Sequence, residues 1–152
     1  MYIYIKNITK FMKLLWLLPF LILSCTESND ELTNENTLDS ELLIKANDNN
    51  SFESDLSILD NAENEILNTI NNYQCMDSKD WEITAIGTKA CGGPQYYVAY
   101  PAEDTDLLNS IEIYSLSEGV FNEKWSVIST CDIAVAPTSV SCEDNRYILN
   151  YE

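Results

Sequence analysis

The chain has 152 residues, with 25 acidic against eight basic ones, no histidine and five cysteines. A formal charge of −17 opposes binding to nucleic acid or to anionic lipid, since both are polyanions. The missing histidine removes the commonest general base and the usual metal ligand. A Ser-His-Asp or Cys-His mechanism is thereby excluded, and the length suits about one domain.

Chain order begins with a basic leader, Lys6, Lys10 and Lys13, followed by an apolar run over 14–23. A spanning helix needs roughly 20 apolar residues, so this run reads as a secretory signal over 1–24. It closes on Leu21-Ile22-Leu23-Ser24-Cys25, which resembles the lipobox of bacterial lipoproteins. The bulky Leu23 departs mildly from that pattern. The resemblance implies cleavage before Cys25 and lipidation of its thiol. Removing the leader leaves five basic residues against 25 acidic ones, a formal charge of −20. Residues 25–54 are crowded with Asn, Asp, Glu, Ser and Thr, and their few apolar side chains, Ile44 and Phe52 among them, are too sparse to bury a core. Such a segment does not offset its ordering entropy. It is expected to be a mobile tether spanning roughly 30 Å. Its opening acids, Thr26-Glu27-Ser28-Asn29-Asp30-Glu31, resemble the surface-export signal of Bacteroidota lipoproteins. That favours the cell-surface face of the outer membrane over the periplasmic one.

A single domain is expected over 55–152. Leu56, Leu59, Ile66, Ile70 and Tyr73 recur at helical spacing and predict a helix over 55–73, with Asp55 as its cap. Trp81, Ile83 and Ala85 alternate with Glu82 and Thr84, which predicts a half-buried strand. Cys91-Gly92-Gly93-Pro94 breaks it, and the segment over 95–100 is β-prone. Leu107, Ile111, Tyr114, Phe121 and Trp125 predict one long helix over 104–126, with a kink or a split at Gly119 as the alternative. Residues 138–142 and 146–151 flank Glu143-Asp144-Asn145 as a hairpin. The fold class is therefore α+β, two helices on a small, mainly antiparallel sheet.

With Cys25 lipidated, four cysteines remain. An exported chain favours two disulfides, and the spacings lack the C-x-x-C pair of a zinc site. Three pairings are open. Cys91–Cys131 with Cys75–Cys142 is preferred, and pairing in sequence order is the rival. The Cys91 corner lacks the second thiol of a thioredoxin motif, because Pro94 stands there. The acidic clusters lack EF-hand spacing, and no catalytic or metal-binding motif is present, so no catalytic residue, cofactor or metal is expected. Tyr96, Tyr97 and Tyr100 are candidates for a recognition face.

Trp81, the run Ile86-Gly87-Thr88-Lys89-Ala90-Cys91-Gly92-Gly93-Pro94, Tyr97, Tyr100, Tyr114, Asn122, Thr130-Cys131-Asp132 and Cys142 together resemble a group of small hypothetical Bacteroidota lipoproteins. The resemblance covers about residues 75–151 and implies a coherent domain without an assigned activity. The expected function is a non-enzymatic, lipid-anchored envelope module for a protein or glycan partner. The alternative is an inhibitor of a cationic secreted hydrolase, a protease or a lysozyme.

Overall fold

The computed structural model describes residues 42–152. The expected leader, the expected lipidation site Cys25 and the tether up to residue 41 lie outside the described residues. Helix α1 (Phe52–Asn72) leads through a 3-10 turn (Ser78–Asp80) to strands β1 (Trp81–Ile86) and β2 (Tyr96–Pro101). Helix α2 (Thr105–Trp125) and strands β3 (Ser139–Glu143) and β4 (Arg146–Asn150) follow. The class is α+β, as expected, with the strands divided into two antiparallel hairpins, β1–β2 and β3–β4. The hairpins meet through side chains instead of a shared ladder: the rings of Trp81 and Tyr147 lie 5.4 Å apart.

Both helices form for the reasons their spacing gives. In α1, Leu59, Ile66 and Ile70 fall on one buried stripe; in α2, Leu107, Ile111, Tyr114 and Phe121 do so. The two stripes face each other and enclose the core. Gly119 neither kinks nor splits α2, which runs unbroken, because the surrounding packing outweighs the roughly 1 kcal/mol propensity cost.

Two expectations at the start of the domain are corrected. Ser51, not Asp55, caps α1, its hydroxyl accepting from the Ser54 N–H at 3.2 Å. Asp55 lies a turn further in and is wholly buried. Its carboxylate accepts from Lys124 Nζ at 2.7 Å, Asn50 Nδ2 at 2.9 Å and Trp125 Nε1 at 3.0 Å. Nor does the mobile tether extend to residue 54. Ile44 is fully buried, the Leu43 N–H donates to the buried Ser117 hydroxyl at 2.9 Å, and Asp48 is a second partner of Lys124. One apolar side chain and two polar anchors suffice to order this lead-in, so composition alone misplaces the boundary.

The first hairpin is covered on both faces. Its register sets Glu82 opposite Tyr100, Thr84 opposite Val98 and Ile86 opposite Tyr96, and directly opposed residues share a face. On that face Ile86, Val98 and Tyr100 are buried. The apolar alternation of Trp81, Ile83 and Ala85 suggested the other side as the inner one, yet Ala85 is exposed. Trp81 is buried on that other side, against Tyr73 and Tyr147. The second hairpin turns at Asp144 and Asn145, both with positive φ, as a two-residue hairpin loop requires. Cys142 on β3 is joined to the buried Cys75 after α1, with the Cα atoms 5.3 Å apart. This expected bridge closes an interval of 67 residues and contributes about 4 kcal/mol through the unfolded chain's entropy.

Burial pushes the Asp55 carboxyl up, but the hydrogen bonds from Lys124, Asn50 and Trp125 outweigh it and hold the group below its ordinary value. The Lys124 hydrogen bond also lowers Asp48. Carboxyl groups depressed on folding stabilise above their unfolded pKa, near 4, and that stability fades as pH falls through the folded values. Asp55→Asn should therefore cost about 3 kcal/mol at pH 7, roughly 10–20 °C in Tm. The gap should narrow below about pH 4 as the native carboxylate protonates. Thermal unfolding of both proteins between pH 7 and pH 2 checks this, and a gap independent of pH would contradict it.

Candidate functional site at the glycine corner

The residues between β1 and β2 are fastened to one polar edge of α2. Ser115 Oγ accepts from the Gly87 N–H at 2.9 Å, and the Ser115 carbonyl accepts from Thr88 Oγ1 at 2.6 Å. Glu118 accepts from the Thr88 N–H and from Gln95 Nε2. Asn122 Nδ2 donates to the Thr88 carbonyl at 2.6 Å. Positions 115, 118 and 122 share one helical edge because 3.6 residues make a turn. Burial raises the Glu118 carboxyl above its ordinary value, and its two donors offset this only in part.

Beyond Thr88 the chain closes a tight loop: the Lys89 N–H donates to Gly93 O at 2.9 Å, and the Gly92 N–H to Lys89 O at 2.8 Å. Cys91, Gly92 and Gly93 are exposed, so the corner does not plug the core. With α2 it borders a hollow of about 260 Å³ lined by Thr88, Lys89, Gly92, Gly119 and Asn122, among others.

The second side of the site is the irregular loop over 127–138, which leaves α2 through Ser126 in the left-handed conformation, φ 50°. Lys89, only 8% exposed, reaches this loop and donates to Asp132 O at 2.7 Å and Asp132 Oδ2 at 3.1 Å. Hydrogen bonds from Thr130 and Lys89 hold the Asp132 carboxyl low. Around that fixed point Ile128, Ile133 and Val135 stand 94%, 89% and 67% exposed.

Cys91 lies against the same loop. Its thiol donates to Thr130 O at 3.8 Å and accepts from Ser129 Oγ at 3.5 Å; the Cys131 thiol nearby and the Ser129 hydroxyl lower its pKa. The expected second bridge is not formed: Cys91 and Cys131 are free, exposed thiols. The fold brings the pair together through Lys89 and Asp132, which hold the two segments side by side without a covalent link.

The three tyrosines do not make an exposed face. Tyr100 is buried, donating to Glu82 Oε2 at 2.9 Å. Tyr96 is half-buried and donates to Glu63 Oε1 at 2.7 Å; burial and this carboxylate push its pKa up. Tyr97 lies on the opposite face. Glu63, on α1, is the acceptor for Tyr96.

Two further depressions lie along the helices. One of about 450 Å³ runs between α1 and α2, floored by Leu43, Ile66 and Leu107 and rimmed by Glu65, Asp104 and Asp106. Asp104 is already engaged, capping α2 at the Leu107 N–H and accepting from Tyr73 at 2.7 Å. Another, of about 320 Å³, is lined by Asp60, Glu63 and Glu118, the last two committed to Tyr96 and to the corner. Among the described residues no group of three Cys, Asp or Glu side chains is placed to hold a metal ion, and no helix is long and apolar enough to cross a membrane.

Comparison with known proteins gives no match to a family model, a curated protein or a solved structure.

The corner's geometry depends on Gly87, at φ +75°, where an added Cβ would meet Gln95 Cγ at 2.6 Å and Glu118 Oε2 at 2.7 Å. Gly92 shares the positive φ but opens to space. Gly87→Ala should cost about 2–3 kcal/mol through strain and displaced partners, and Gly92→Ala about 1 kcal/mol. Denaturant unfolding of the two variants checks the order, and equal losses would contradict it.

Proposed function

We propose that this chain is a non-enzymatic lipoprotein, anchored in the outer membrane through Cys25, whose folded domain binds a protein partner with the loop over 127–138. The observation that carries the reading is the exposure of Ile128, Ile133 and Val135 on a loop fastened at Asp132. Aliphatic side chains in water gain roughly 25 cal/mol for each Å² buried by a partner, and a loop already held in place loses less entropy on binding. Aliphatic contacts favour a protein over a glycan, whose rings stack on aromatic side chains. The strong negative charge favours a partner with a basic rim and speeds encounter with it.

The same tied loop supports a second reading, inhibition of a cationic secreted hydrolase. Such an inhibitor presents a rigid, protruding segment to a cleft, and charge steers the encounter.

Two measurements test these readings. Cells fed an alkyne-tagged fatty acid should label the wild type and not Cys25→Ser; labelling of both, or of neither, would contradict the anchor. Envelope proteins cross-linked to the anchored chain should then include a component that binds the purified protein. Replacing Ile128, Ile133 and Val135 together by Ser should weaken that binding at least tenfold with Tm unchanged. Unaltered binding would contradict the loop's role. For the second reading, the purified protein should slow at least one of a panel of basic proteases and lysozymes at low salt.

A further inference from the structure

Two exposed thiols 40 positions apart in sequence sit on segments that touch: Cys91 Sγ lies 3.8 Å from Thr130 O and 3.5 Å from Ser129 Oγ, beside Cys131, and the Lys89–Asp132 ion pair ties the same two segments. The one bridge that stabilises the core is elsewhere: Cys75 is 2% exposed and its partner Cys142 is partly covered. Cys91 and Cys131 are both exposed, on the glycine corner and on the loop respectively. Thiol–disulfide exchange requires the attacking sulfur to reach a disulfide from outside, so access separates reactive pairs from inert ones.

We propose that Cys91 and Cys131 are a redox pair that opens and closes by exchange with external disulfides, low-molecular-weight or protein-borne, while Cys75–Cys142 stays closed. Cys91 is the attacking sulfur. The hydrogen bonds from the Cys131 thiol and the Ser129 hydroxyl lower its pKa, and Lys89 adds to this, whereas that of Cys131 is raised. In the first step the Cys91 thiolate attacks one sulfur of an external disulfide, forming a mixed disulfide and expelling the other half as a thiolate. Cys131 then loses its proton to solvent and attacks the Cys91 sulfur, forming the internal bridge and expelling the remaining thiolate. Overall the protein dithiol loses two electrons and two protons, and the external disulfide becomes two thiols. The reverse sequence, driven by an external thiol, reopens the bridge.

The ion pair between Lys89 and Asp132 gives the pair its reversibility. It holds the corner and the loop side by side with the sulfurs unjoined, so Cys131 remains near Cys91 to resolve the mixed disulfide. The chemistry is independent of what the apolar loop binds. Closure would nevertheless add a covalent tie one residue from Asp132, on the loop that carries Ile128 and Ile133.

The test equilibrates the full chain in glutathione buffers of graded reduced-to-oxidised ratio, followed by acid quenching, alkylation and peptide mapping. The Cys91–Cys131 bridge should open at a ratio at least tenfold less reducing than the one that opens Cys75–Cys142. Opening of both at the same ratio, or failure of the Cys91–Cys131 link to form even in oxidised glutathione, would overturn the proposal. Cys131→Ser supplies a second readout that leaves the core bridge untouched. This variant should accumulate a glutathione adduct on Cys91 at least tenfold above the wild type, which resolves it. Equal adduct levels in the two proteins would equally overturn it.

Discussion

The carboxylate of Asp55 has no exposure to water, and two separate parts of the chain supply its three donors: Asn50 from the lead-in, and Lys124 and Trp125 from the last turn of α2. An ion in such a place costs several kcal/mol of desolvation unless its hydrogen-bonding capacity is filled. The first turn of α1, the final turn of α2 and the segment before α1 are thus obliged to meet at one point. Aromatic packing thickens the same corner: Phe52 lies 5.2 Å from Phe121 and 5.7 Å from Trp125, and Lys124 sits over the Trp125 ring. With the end of α2 fixed there, Ser126 sets the direction in which the 127–138 loop departs. The position of that loop is therefore inherited from a charge buried in the first turn of α1.

From that fixed helix the rest of the site follows. Ser115, Glu118 and Asn122 hold the glycine corner along one edge of α2, and Lys89 carries the loop back to the corner. The corner is thereby a rigid bracket between a helix and an irregular segment. Apolar side chains project beyond the bracket, and two exposed thiols lie at its edge. The covalent link sits elsewhere, where Cys75 and Cys142 clamp the second hairpin to the end of α1. Core stability and the exposed chemistry are carried by different cysteines.

Periodic features were legible in the sequence, because they depend on residues three or four positions apart. The apolar stripes of both helices, the four strands and the hairpin turn at Asp144 and Asn145 fall within a few positions of their expected places. Features that depend on distant partners were not. Asp55 resembles a helix cap until Lys124, 69 residues away, is beside it. Ile44 resembles a solitary apolar residue in a tether until the two helices close over it. Alternation misplaces the inner face of β1, because the first hairpin is covered on both sides. At the site, the string from Ile86 to Pro94 announced a sharp corner. The polar positions 115, 118 and 122, at helical spacing beside the apolar stripe, were the available signal for what that corner rests on.

The lead-in is where the structure departs furthest from what composition implies, and deletion tests its role directly. Thermal unfolding of a chain beginning at residue 42 should be compared with that of one beginning at residue 51, which keeps the Ser51 cap and the whole of α1 but lacks Leu43, Ile44, Asp48 and Asn50. The expected result is a cooperative transition for the longer chain and a Tm lower by at least 10 °C for the shorter one. Equal melting temperatures would contradict the claim that these residues are part of the core and that the charge cluster around Asp55 depends on them.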